Sequence, residues 1–141
     1  MRKFPVLIGA CMIVALVLTV MGQDIPQAAF DRLQTIMKEV GPLNQSLQGA
    51  ITAKDAAKIA TDAARMQELF GQAETVFMKQ KIQGAVDLAK AAGAAAGETA
   101  AAAKAGNVDG AVAAAAGIGK CKACHAAHRE QLPDKTFKIK R

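Results

Sequence analysis

Residues 52–77, TAKDAAKIATDAARMQELFGQAETVF, decide the fold. Within them Ile59, Ala63, Met66, Phe70, Ala73 and Phe77 recur at spacings of three and four, which places all six on one face of a helix. Charged, amide and hydroxyl side chains take most of the other positions. Such a helix must bury its stripe against partners. Thr52 with Asp55 three residues on reads as a capping box at its start, and residues 79–81 read as the turn after it.

Three more helices follow from working outward. Upstream, residues 26–47 carry Phe30, Leu33, Met37, Val40 and Leu47 at helical spacing, with Ile36 and Leu43 alongside. Pro26 suits the first turn. Gly41-Pro42 should bend this helix or split off its last turn. Downstream, residues 82–104 are Ala-rich, and Ala is the best helix former. Gly84, Gly93 and Gly97 lie inside this third helix, so it depends on packing. Ala105-Gly106-Asn107 reads as a stop and a cap. A fourth helix spans 108–131 and ends at Leu132-Pro133. Short connections between long helices imply antiparallel neighbours. The expected fold is therefore all-α, an antiparallel up-down-up-down four-helix bundle. Composition agrees: 141 residues suffice for one domain, and 52% apolar with 21% charged residues is globular. At 4% aromatics, with no Trp or Tyr, a β-sandwich is disfavoured.

Residues 1–22 read as a signal peptide. Arg2 and Lys3 precede an uncharged apolar run over 4–21, and Val20 and Gly22 supply small residues before a cut ahead of Gln23. An uncleaved membrane anchor is the competing reading, and Ile8-Gly9-Ala10-Cys11 is a weaker lipoprotein-like alternative. Each of these puts the domain at 23–141 outside the cytoplasmic membrane, so a periplasmic location is expected. The net charge is +6, falling to about +4 without Arg2 and Lys3. Part of the excess lies in a tail over 133–141, which reads as a solvated basic terminus and not as a nucleic-acid site.

The chemistry is concentrated in Cys121-Lys122-Ala123-Cys124-His125, the C-x-x-C-H signature of covalent haem c attachment. Two thiols add to the two haem vinyl groups as thioethers, and a spacing of three puts both sulfurs on one side of a helical turn. His125 then presents an imidazole nitrogen to the iron as proximal ligand. Two alternatives compete. A redox-active C-x-x-C expects a βαβ context that this chain lacks. Zinc on Cys121, Cys124, His125 and His128 would need four ligands from two turns of one helix. Ile118, Cys121, His125, His128 and Leu132 share a face, and Gly117 and Gly119 would leave room for the porphyrin edge.

A helix bundle with C-x-x-C-H near its C-terminus resembles the cytochrome c′ family, including its six-coordinate low-spin relatives. The resemblance runs from about Gln23 to the end. Gly106-Asn107-Val108-Asp109, Gly119-Lys120 before the motif, and His128-Arg129 after it carry its most specific part. The family often has an aromatic residue where this chain has His128. The resemblance implies that the second axial position of the iron faces the first helix, with a Met there in six-coordinate members and an apolar residue in five-coordinate ones. It also implies an Arg four residues before that position, touching a haem propionate. Counting from Arg32 gives Ile36, and alignment on the Met-Lys pair gives Met37. We favour Met37, because it lies in the strict apolar stripe. Members of the family often pair as homodimers through their first helices.

Two functions follow. With Met37 and His125 as axial ligands, the protein would carry electrons on one haem c between redox partner proteins. With Ile36 at an open site, it would bind a diatomic gas, nitric oxide or carbon monoxide. No acid–base pair or nucleophile constellation suggests an enzyme.

Overall fold

A computed structural model describes residues 24–141, and the chain over this span is mostly helical. The leader expected at 1–22, its anchor and lipoprotein alternatives, and Cys11 lie outside the described residues. No described helix is long and apolar enough to cross a membrane.

Helix α1 (Gln27–Ala53) runs unbroken through Pro42 and ends six residues beyond the expected 47. The reason is packing: Leu47 and Ala50, beyond the proline, are both buried. Ser46 Oγ also donates to the buried carboxylate of Asp62 at 2.6 Å, tying this last part to the next helix. Burial and that bond offset the one hydrogen bond the proline removes. Thr52 therefore sits inside α1, where its hydroxyl donates to the Gln48 carbonyl. The cap of α2 (Ala56–Lys79) is Asp55, whose carboxylate accepts from the Lys58 amide at 3.0 Å. All six stripe residues of α2, from Ile59 to Phe77, are buried.

Helix α3 (Gln83–Lys104) buries small residues, among them Ala85, Ala89, Ala92, Ala96 and Ala100. A Cβ on Gly93 would come within 3.4 Å of the Phe70 side chain, so the glycine lets α2 lie close. Gly106 ends the segment at φ 75°, and Asn107 caps α4 (Val108–Ala115) by accepting from the Gly110 amide at 2.9 Å. Helix α1 packs on α2, α2 on α3, and α3 on α4 and the segments after it.

The expected fourth helix over 108–131 is not continuous. After α4 the chain tightens into a 3-10 segment (Ala116–Lys120), resumes as α5 (Cys121–His128) and ends there. Gly117 lies against α3, where a Cβ would be 2.7 Å from that of Ala95. The close approach and two glycines account for the local change of winding. At Arg129 the backbone becomes extended (φ −118°, ψ 129°). Strand β1 (Arg129–Gln131) pairs antiparallel with β2 (Phe137–Ile139), with Arg129 opposite Ile139 and Gln131 opposite Phe137. Asp134 shapes the turn by accepting from the amide and hydroxyl of Thr136, and Lys135 takes φ 66°. The tail over 133–141 thus carries the turn and second strand of a hairpin, with residues 133–136 and Arg141 exposed.

Candidate functional site

An apolar cavity of about 340 Å³ opens where α1, α2, α3, α5 and the hairpin meet. Its size falls within the usual range for small-molecule pockets, roughly 300–1,000 Å³. The apolar stripes of the helices build it. Phe30, Leu33 and Met37 come from α1, Phe70, Ala73 and Phe77 from α2, and Leu88, Ala89 and Ala92 from α3. The first turns of α5 contribute Cys121, Cys124 and His125. Helical spacing makes this happen: residues three and four apart present one face, and the motif's three reactive groups stand at that spacing.

Both cysteines are half-buried and unbonded to each other. Burial raises the Cys121 thiol above its ordinary pKa, its own backbone hydrogen bond opposes this, and Cys124 adds to the rise. Burial likewise raises Cys124. Reactive C-x-x-C pairs of the redox type have a depressed thiol, and this pair has the opposite. The His125 imidazole is pushed below its ordinary pKa, first by burial and then by the Arg129 charge. That favours the neutral ring, the form that can offer a nitrogen lone pair. Among the described residues, no three His, Cys, Asp or Glu side chains gather to hold a metal between them. Two protonated thiols, an imidazole and a thioether on one apolar cavity form a donor set that fits a covalently held haem.

The first-helix candidates separate cleanly. Met37 is half-buried and lines the cavity. Ile36 is 1% exposed and belongs to the core cluster with Val40 and Leu47. It is not among the cavity walls. Arg32 is exposed, donates to the Gln72 side chain, and does not line the cavity either. Gly117 makes a close contact with Ala95 of α3, while Gly119 has open space around it.

His128 also reaches the cavity wall, but its ring is held elsewhere. Nδ1 faces the Lys140 carbonyl at 3.2 Å, and Nε2 lies 2.9 Å from where a Cβ on Gly84 would be. The Lys140 amide donates to the His128 carbonyl at 2.9 Å, so α5 and the tail are latched together. The hairpin closes one side of the cavity with Phe137 and Ile139. The Arg129 guanidinium stacks on the Phe137 ring, 3.3 Å from its centre. Phe137 and Ile139 are wall residues that the helical spacing of the motif does not point to. The alternation Phe137-Lys138-Ile139-Lys140 after Pro133-Asp134 is the signal of a half-buried strand following a turn. Scans against family models, curated proteins and solved structures return no match to the chain.

Proposed function

We propose that the chain is a periplasmic c-type cytochrome, a one-electron carrier built as an antiparallel up-down-up-down four-helix bundle of the cytochrome c′ kind. One observation carries this reading: both cysteines and the histidine of C-x-x-C-H line the same apolar cavity as Met37. When bound, haem c supplies a one-electron iron couple. Cys121 and Cys124 would hold it through thioether links, His125 would offer its imidazole nitrogen to the iron, and Met37 its thioether sulfur. The phenylalanines of α1, α2 and the tail exclude water around it, and a thioether ligand in dry surroundings favours the reduced state. The leader expected at 1–22 agrees with attachment outside the cytoplasm.

The gas-binding alternative has less support, because Ile36 points into the core between helices. A haem stain after denaturing electrophoresis tests attachment, and extraction with acidified organic solvent should leave the haem on the protein. Free haem in the organic layer would overturn the proposal. The visible spectrum tests the ligand set: low-spin bands in both oxidation states are expected. A high-spin spectrum with ready carbon monoxide binding would give the lead to the open-site reading.

A further inference from the structure

Helix α1 carries four charged side chains, Asp31, Arg32, Lys38 and Glu39. Three of them have partners. Asp31 accepts from the Gln27 side chain, Arg32 donates to that of Gln72, and Glu39 pairs with Arg65. The Lys38 ammonium has no hydrogen-bond or ion-pair partner among the described residues, and neither has the Gln34 amide one turn before it. Both side chains line the cavity and both residues are exposed, so they stand at its water-facing rim. Four residues apart on a helix, they are neighbours. An unpaired ammonium beside an amide, on the rim of a mostly apolar cavity, suits a ligand with an apolar body and an acidic edge.

We infer that Lys38, with Gln34, anchors a propionate carboxylate of the haem, the role that the family resemblance gives to Arg32. This rests on the haem c reading. Haem carries its two propionates on the edge opposite its two vinyl groups. Cys121 and Cys124 would take the vinyl edge to α5, so the acidic edge would lie away from them. Helix α1 supplies a separate wall, and Lys38 is the cation on it. Arg32 stands six residues earlier, about 120° round the helix, bonded to Gln72 and off the cavity. Arg129, the other cation on the wall, is laid on the Phe137 ring and follows directly on α5. A Lys–carboxylate contact is a charge-assisted hydrogen bond, and Gln34 offers a further N–H donor to the same group. At an exposed rim neither charge has to be fully desolvated. Lys38 is thus a positioning residue, tying the acidic edge to α1 as the thioethers tie the other edge to α5.

The test is zero-length carbodiimide coupling of the full mature holoprotein. The reagent joins an amine and a carboxylate already in contact as an amide, with loss of one water. After trypsin, mass spectrometry should find the haem peptide of residues 121–129 joined through Lys38 to residues 33–54, uncut at the acylated lysine. Lys38→Arg should lose that product. A haem peptide that couples through another lysine instead, or not at all, would overturn the inference. A second readout follows haem propionates labelled with carbon-13 at the carboxyl, in the redox-difference infrared spectrum. Lys38→Gln should shift one labelled carboxylate band, Lys38→Arg should hold it near its wild-type position, and Arg32→Gln should leave both bands in place. A shift in Arg32→Gln with none in Lys38→Gln would return the role to Arg32. Lys38 and Arg32 are both exposed, so these variants should fold as wild type does. Haem staining of the same samples separates the two failures: a stained protein without the Lys38 cross-link defeats this inference alone, and an unstained one defeats the haem reading.

Discussion

Replacing Met37 and Ile36 by alanine, one at a time, separates a ligand from a packing residue one position away. Ile36 is 1% exposed in the core, so Ile36→Ala opens a closed cavity and should cost about 3–4 kcal/mol, within the usual range for such truncations. Met37 is half-buried on a cavity wall, so Met37→Ala should cost less, about 2 kcal/mol in packing. For a domain of this size that is a drop of roughly 6–10 °C in Tm against roughly 10–18 °C for Ile36→Ala. The spectrum should reverse the order of severity. Met37→Ala should turn ferric low-spin haem high-spin, abolish the long-wavelength sulfur-to-iron band, lower the potential, and admit carbon monoxide to the reduced iron. Ile36→Ala should leave the low-spin spectrum in place. Thermal melts and visible spectra of the two variants read both quantities on the same samples. A Met37→Ala protein with an unaltered low-spin spectrum would refute the assignment, whatever its Tm.

Other perturbations probe the scaffold. Gly49 lies inside α1 with nothing near the place of a Cβ, so Gly49→Ala should stabilise by about 0.5–1 kcal/mol in denaturant titration. Gly117→Ala puts a methyl 2.7 Å from the Ala95 Cβ and should destabilise by about 1–3 kcal/mol in the same assay. Asp62→Ala removes the acceptor of the Ser46 hydroxyl and should cost about 1–3 kcal/mol, with Ser46→Ala/Asp62→Ala no worse than the single change. The Asp134 carboxyl is held below its ordinary pKa by the Thr136 hydroxyl and amide. Its contribution to the hairpin is therefore complete above the ordinary aspartate value, about 3.9, and is lost as pH falls through the lower folded value. The Thr136 amide resonance followed by NMR should report that loss, and a flat profile down to strong acid would contradict it.

Much of the helical architecture was legible because period is a local property. The stripe from Ile59 to Phe77 and the alanines of α3 needed no knowledge of their partners to be read as buried faces. The breaks were harder. Gly41-Pro42 predicts a bend or a split-off last turn by local rules, and the last turn stays in α1, because Leu47, Ala50 and the Ser46–Asp62 bond lie beyond the proline. Conversely, residues 108–131 predict one helix, and α3 breaks it by drawing Gly117 against Ala95. In both places contacts between segments distant in sequence outweighed a local preference of a few kcal/mol or less.

The sequence by itself determined which residues carry reactive groups and that a helix turn would hold them together: Cys121, Cys124 and His125 at spacings of three and one bring two thiols and an imidazole to one face. It also determined the sign and position of the charge excess in the tail. The choice between Ile36 and Met37 belonged to the tertiary structure. One residue is about 100° of helix rotation, and only the packing of α1 on α2 decides which side chain fills the core and which faces the cavity. The tail was decided the same way. Its strand pairing, the His128–Lys140 latch and the Arg129–Phe137 stack exist because α5 stops at His128, and so Arg129, Phe137 and Ile139 become a wall of the site.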